Sequence, residues 1–162
     1  MKKHFLILLI FCGYLNAQES MNSLLNKYNS GDVPYISVQE LRMHQLDEEV
    51  VILDSRNSEE FQVSHLKNSV FVGYDNFDIS SLKSIRKDQK IVVYCSVGIR
   101  SENIADKIIT AGFTNVQNLY GGIFKWKNEG FPVVDLKGIE TEKVHVFSKH
   151  WAKYLNKGEK IY

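Results

Sequence analysis

One short stretch carries the residue types of nucleophilic chemistry. Cys95 follows the apolar run Ile91-Val92-Val93-Tyr94 directly, and Ser96, Val97, Gly98 and Ile99 separate it from Arg100. A cysteine attacks as its thiolate, so anything that favours the charged form raises its reactivity. A loop that turns from a strand into a helix can point successive N–H groups at one spot and form an anion-binding nest. The helix N-terminus adds unpaired N–H groups and partial positive charge. Gly98 permits a backbone angle that a side chain would resist, and Arg100 supplies a permanent cation suited to an oxyanion. The chemistry expected of Cys95 is therefore attack by an activated thiolate on an anionic or polarised donor.

The elements that must hold this loop are legible in the pattern. Val50-Val51-Ile52-Leu53 and Ile91-Val92-Val93-Tyr94 are continuous apolar runs, as for strands buried on both faces. Val33 to Ile36 reads as a strand placed at an edge by Pro34, with Ser37 and Glu40 at capping-box spacing for a helix through Gln45. Ser58 to Phe61 opens a short helix, Val70 to Val72 a strand, and Ile79 to Ile85 a helical turn or two. Ser101 to Ala111 places Ile104, Ala105, Ile108 and Ile109 on one helical face and stops at Gly112. Val116 to Leu119 is a strand, and Gly121-Gly122 opens a helix with Ile123, Phe124 and Trp126. Alternating short strands and helices predict an α/β domain with a mainly parallel sheet. Ligands of such sheets bind beyond the carboxyl ends of the strands, which is where Cys95 falls.

The two ends of the chain differ from this middle. Lys2 and Lys3, the apolar run Phe5 to Leu15 and the small residue Ala17 resemble a secretory signal over residues 1–17. The run is too short for a bilayer span, which takes about 20 helical residues. A rival reading lipidates Cys12. Removal of the signal leaves 18 basic and 19 acidic side chains, a net charge of −1, and Cys95 as the single thiol. The expected location is periplasmic or extracellular. Residues 18–32 read as a linker or short helix, 33–135 as the domain, and 136–162 as a tail. Val144, Phe147, Trp151 and Tyr154 recur at helical spacing, so Glu142 to Leu155 is expected to form an amphipathic helix. The full chain has a formal charge of +1, which argues against a dedicated nucleic-acid binder. Scattered histidines give no metal-ligand pattern, and no cofactor is expected.

Several separated features resemble the rhodanese-like sulfurtransferases. They are Ile36-Ser37 with Glu40-Leu41, then Asp54-Ser55-Arg56, then Glu59 with Phe61 and His65. The Cys95–Arg100 loop with Ser101 and Ala105 follows, and Gly112-Phe113, Leu119, Gly121-Gly122 and Trp126 complete the set. The resemblance covers Val33 to Val134. It implies a three-layer fold, a five-stranded parallel sheet with helices on both faces. It also implies that Cys95 takes sulfur from a sulfane donor, thiosulfate or a persulfide, and passes it to a thiol or cyanide. Ser96, Val97, Gly98, Ile99 and Arg100 would bind the donor. Asp54, Arg56 and Ser101 would support the site from behind, and His65 would be structural. The acceptor could be a thioredoxin-like protein.

Ser64, Asn68 and Ser69 depart from the family, which commonly has glycine and alanine around its histidine. The tail lies outside the resemblance. Two other readings compete. Phosphatases and arsenate reductases on this fold use a Cys-x5-Arg loop, one residue longer than the four enclosed here. A carrier or binding module that delivers persulfide to one protein would use the same loop without turnover of small molecules.

Overall fold

The computed structural model describes residues 21–47 and 50–162. The signal segment read at residues 1–17, Cys12 included, lies outside the described residues. The chain divides into two compact units, Met1–Ser30 and Gly31–Tyr162. In the first, residues 21–28 are helical (α1), and the Asn29 N–H donates to Leu25 O at 2.8 Å.

The second unit is built on a five-stranded sheet. Its strands are β1 (Tyr35–Ile36), β2 (Val51–Asp54), β3 (Val70–Phe71), β4 (Ile91–Tyr94) and β5 (Val116–Leu119). They lie in the order β1-β5-β4-β2-β3, and every pairing is parallel. The edge position expected from Pro34 is occupied by β1. Central β4 is buried at all four residues, which is why its sequence does not alternate. Register aligns Asp54 with Tyr94, so the ends of β2 and β4 come level.

Helices α2 (Val38–Leu46), α3 (Ser58–Val63) and α4 (Arg100–Thr110) make crossovers between strands of the sheet, and α5 (Gly122–Asn128) follows β5. Ser37 caps α2 through a bond from the Glu40 N–H at 3.1 Å, as its spacing predicts. Ile104, Ala105 and Ile108 of α4 pack on Leu53, Ile91, Val93 and Val116 in one buried cluster. Residues of opposite parity, Ile52, Val92 and Tyr94, point to the other face of the sheet. There α2 and α5 meet. Fully burying each such aliphatic side chain contributes about 1.5–3 kcal/mol, so the two-sided strands are the main anchor of the Cys95 loop.

The tail is not the amphipathic helix expected over Glu142–Leu155. After β6 (Val133–Val134) it forms β7 (Glu140–Thr141), β8 (Lys143–His145), a 3-10 turn over Trp151–Tyr154, and β9 (Glu159–Ile161). Strands β6 and β7 pair antiparallel, whereas β8 and β9 pair in parallel. The physical reason is the pair Val144 and Val146, both fully buried. Their spacing is that of a strand, and β-branched side chains favour one. Among the described residues no helix is long and apolar enough to cross a membrane.

Candidate active site

The loop after β4 is shaped by what its carbonyls bind. Cys95 O accepts from the Ile123 N–H at 2.9 Å and Ser96 O from the Phe124 N–H at 3.1 Å. Both donors belong to the first turn of α5, where N–H groups lack partners within the helix. Gly98 O accepts from Asn118 Nδ2 at 2.8 Å. With these carbonyls held outward, the Gly98 N–H points inward at Cys95 Sγ, 3.1 Å away. Gly98 has φ +105°, a conformation open to glycine and costly for other residues. Gly122 is needed for a different reason. A Cβ there would lie 2.3 Å from Cys95 O and 2.7 Å from the Ser96 carbonyl. Only glycine lets α5 approach this closely.

Ser101 touches the sulfur directly rather than from behind it. Its hydroxyl lies 3.5 Å from Cys95 Sγ and 2.7 Å from Asn118 Oδ1. Asn118 Nδ2 also donates to Glu102 Oε2 at 2.9 Å, so this buried amide is well satisfied. Cys95 is 1% exposed. Burial pushes its thiol up, but the Arg100 charge and the bonds from Ser101 and Gly98 together bring it below its ordinary value. The thiolate is thus favoured in a dry site.

Arg100 does not extend freely toward a donor. Its Nη1 and Nη2 donate to Glu60 Oε2 at 2.7 Å and Oε1 at 2.8 Å, and Nη2 donates to Ser96 Oγ at 2.9 Å. Ser96 in turn donates to Glu60 Oε1 at 2.7 Å. The Asn57 N–H holds Glu60 Oε2 at 3.0 Å, completing the capping box of α3. Burial raises the Glu60 carboxyl, yet bonds and charge from Arg100, with the Arg56 charge, leave it below its usual range. Glu60 went unrecognised in the sequence, where its neighbour Glu59 carried the resemblance. The Asn57-x-x-Glu60 spacing was the available signal.

Asp54 and Arg56 form a separate buried network that does not bond to the loop side chains. Arg56 Nη2 donates to Asp54 Oδ2 at 2.7 Å and to Ser64 O at 2.6 Å. The Tyr94 hydroxyl donates to Asp54 and accepts from the Leu66 N–H at 3.1 Å. Burial and the Asp54 charge raise the Tyr94 phenol well above its ordinary value, so it stays a donor. This network ties the ends of β2 and β4 to segment 64–69. Within that segment, Asn68 has φ +65°, which asparagine tolerates better than most residues. Ser69 Oγ pairs with the Tyr94 hydroxyl at 3.1 Å. His65 stacks on Phe61 with ring centroids 4.0 Å apart, and its Nδ1 lies 3.1 Å from Phe61 O.

A pocket of about 190 Å³ opens at the sulfur, lined by Cys95, Ser96, Val97, Ile99, Arg100, Phe147 and Trp151. The last two come from the tail. Among the described residues no three His, Cys, Asp or Glu side chains cluster in a way that could hold a metal.

Residues 37–129 match the Rhodanese-like domain family. The chain belongs to that family. Over 129 residues it is 41% identical to a tRNA uridine(34) hydroxylase of Listeria monocytogenes, a match covering 75% of this chain and 39% of the relative. The chain thus spans about two fifths of the length of such curated relatives. A rhodanese-related protein of Thermoplasma volcanium superposes with TM-score 0.51 at 28% identity, covering 62% of this chain and 97% of that one. The thiosulfate sulfurtransferase of Pseudomonas aeruginosa gives TM-score 0.61 at 17% identity, covering 86% of this chain and 26% of that one. The family match stops short of Phe147 and Trp151, so the tail side of this rhodanese-like pocket lies beyond the family region.

Proposed function

We propose that this rhodanese-like domain is a sulfurtransferase that carries sulfane sulfur as a persulfide on Cys95. The observation that supports it most is the convergence of Gly98, Ser101 and Arg100 on a buried Cys95 Sγ, which lowers the thiol despite desolvation. The thiolate attacks the outer sulfur of thiosulfate. A new S–S bond forms on Cys95, the donor S–S bond breaks, and sulfite leaves with the electron pair. A thiol or cyanide then removes the sulfur and restores the thiolate, a double displacement. The inward N–H groups stabilise the charge that moves between the sulfurs.

Four residues between Cys95 and Arg100 make a tight cradle, which favours sulfur over a tetrahedral phosphate. Intact mass after incubation with a sulfane donor tests the assignment. Wild type should gain one sulfur atom and Cys95→Ala none; no adduct with several donors would sink the reading. Steady hydrolysis of an aryl phosphate that depends on Cys95 would replace it with phosphatase chemistry. Persulfide formation without turnover of any small acceptor would favour delivery to one protein, such as a thioredoxin-like thiol. The same mass, taken on protein from its native cell, reports whether residues 1–17 are removed, as the proposed export requires.

The name of the Listeria relative suggests a second reading, action on RNA. The near-neutral charge of the chain and the small pocket support a small-molecule donor instead.

A further inference from the structure

The wall of the pocket built by Phe147 and Trp151 lies beyond residues 37–129, which the family match covers. It belongs to a strap, residues 146–158, closed by the parallel pairing of Lys143–His145 with Glu159–Ile161. Val144, Val146 and Leu155 are fully buried anchors. Asn128, at the end of α5, clamps the strap from the other side. Its Nδ2 donates to Tyr154 O at 2.8 Å, and its Oδ1 accepts from the N–H groups of Asn156 at 2.7 Å and Lys157 at 3.1 Å. These ties fix the strap over the loop.

Phe147 occupies an unfavourable backbone conformation to reach its place. Its φ is +61°, and the Ser148 N–H closes a tight turn across it to Val146 O at 2.6 Å. A bulky residue in the left-handed region is a true outlier, and such outliers persist where the surroundings enforce them. The ring sits 4.6 Å from the Arg100 guanidinium. Arg100 is thus covered on one side by an aromatic face and paired on another with both oxygens of Glu60.

The charges at the site then sum unfavourably for a dianion. Arg100 is balanced by Glu60, and the Cys95 thiolate adds one negative charge. Thiosulfate would enter a small pocket with apolar sides, and its own charge would face a net negative centre. A persulfide with an apolar organic group fits better, because it carries at most one negative charge where thiosulfate carries two. The organic group would lie against Ile99, Phe147 and Trp151, and the terminal sulfur would meet Cys95 Sγ.

We infer that the aromatic strap and the Glu60–Arg100 pair make this pocket selective for small apolar organic persulfides over thiosulfate. This rests on the sulfurtransferase reading and names its donor class. The Cys95 thiolate attacks the terminal sulfur of R–S–SH. The new S–S bond gives the Cys95 persulfide, the S–S bond of the donor breaks, and R–S⁻ departs with the electron pair. No outside oxidant or reductant is consumed.

Single-turnover loading of Cys95, followed by intact mass, tests this with benzyl persulfide and thiosulfate as the two donors. Wild type should load at least tenfold faster from benzyl persulfide. Phe147→Ala with Trp151→Ala should reduce that rate tenfold or more while thiosulfate loading holds or rises. Glu60→Gln should raise thiosulfate loading by unmasking Arg100. Phe147→Gly, which suits the local backbone, removes the ring even if the double variant folds poorly. Faster loading from thiosulfate in wild type, or a donor ratio within twofold of wild type in both Phe147→Gly and Glu60→Gln, overturns the inference and leaves the sulfurtransferase reading standing. Loading from neither donor, nor from other sulfane donors, overturns both.

Discussion

The two sides of the Cys95 pocket are made by different means. The loop side is held by backbone groups: carbonyls of Cys95 and Ser96 on the α5 amides, and Gly98 O on Asn118. The strap side is closed at its base by a strand pair and held down by side chains, the buried valines and an asparagine clamp. Backbone ties fix the start of the loop whatever its side chains are, provided Gly98, Gly122 and the Asn118 amide are kept. Side-chain ties allow the opposite wall to change without disturbing the thiolate. The strap can thus alter donor choice apart from the thiolate, whereas the Glu60–Arg100 pair bears on both; α5 serves both walls, its first turn pinning the loop and its last residue the strap.

The largest effect should come from the loop side. Gly122→Ala pushes a methyl group into the Cys95 and Ser96 carbonyls. Overpacking and the left-handed backbone together should cost about 2–4 kcal/mol, read by urea denaturation, with sulfur loading lost. Normal loading and stability in this variant would show that α5 does not set the loop.

An intermediate effect concerns pH. Arg100→Met combined with Glu60→Gln removes the cation without stranding a buried carboxylate. In wild type the folded thiol is depressed, so its thiolate contributes stability above the unfolded value of about 8.5, and this is lost as pH falls through the folded value. Without Arg100, burial dominates and the thiol rises. Iodoacetamide reactivity against pH should therefore shift to the alkaline side of wild type. An unshifted profile would mean that the loop N–H groups act alone.

The smallest effect belongs to the strap. Phe147→Gly gives up a ring that is 47% exposed and relieves the positive φ. These oppose each other, so stability should change by less than about 1 kcal/mol. A larger loss would tie the strap to the fold rather than to donor choice.

The loop side could be read from sequence because its determinants are local. Ile91 to Tyr94 is a bounded apolar run, and α4 repeats at helical spacing immediately after Gly98. Glu60 and Asn118 were missed because their roles depend on partners 40 and 20 positions away. Asn118 also stands inside a strand, where nothing local marks it as a clamp. Ser101 was given a supporting role because periodicity does not show that the first turn of α4 faces the sulfur. In the tail, the spacing of Phe147, Trp151 and Tyr154 mimicked a helix. The decisive residues were Val144 and Val146, and their period of two was too short to outweigh it.

The contacts between α5 and the loop also act as a ruler for loop length. Cys95 and Ser96 are bonded to consecutive amides of α5, and Gly98 is fixed by Asn118. The start of the loop and Gly98 are therefore each registered to a neighbour, and Val97 and Ile99 are the two links left. Lengthening the loop toward a phosphate-sized cradle would have to begin at one of them, and both line the pocket. A change of substrate class by insertion is thereby confined to two positions, whereas the choice among sulfur donors can drift through the strap one side chain at a time.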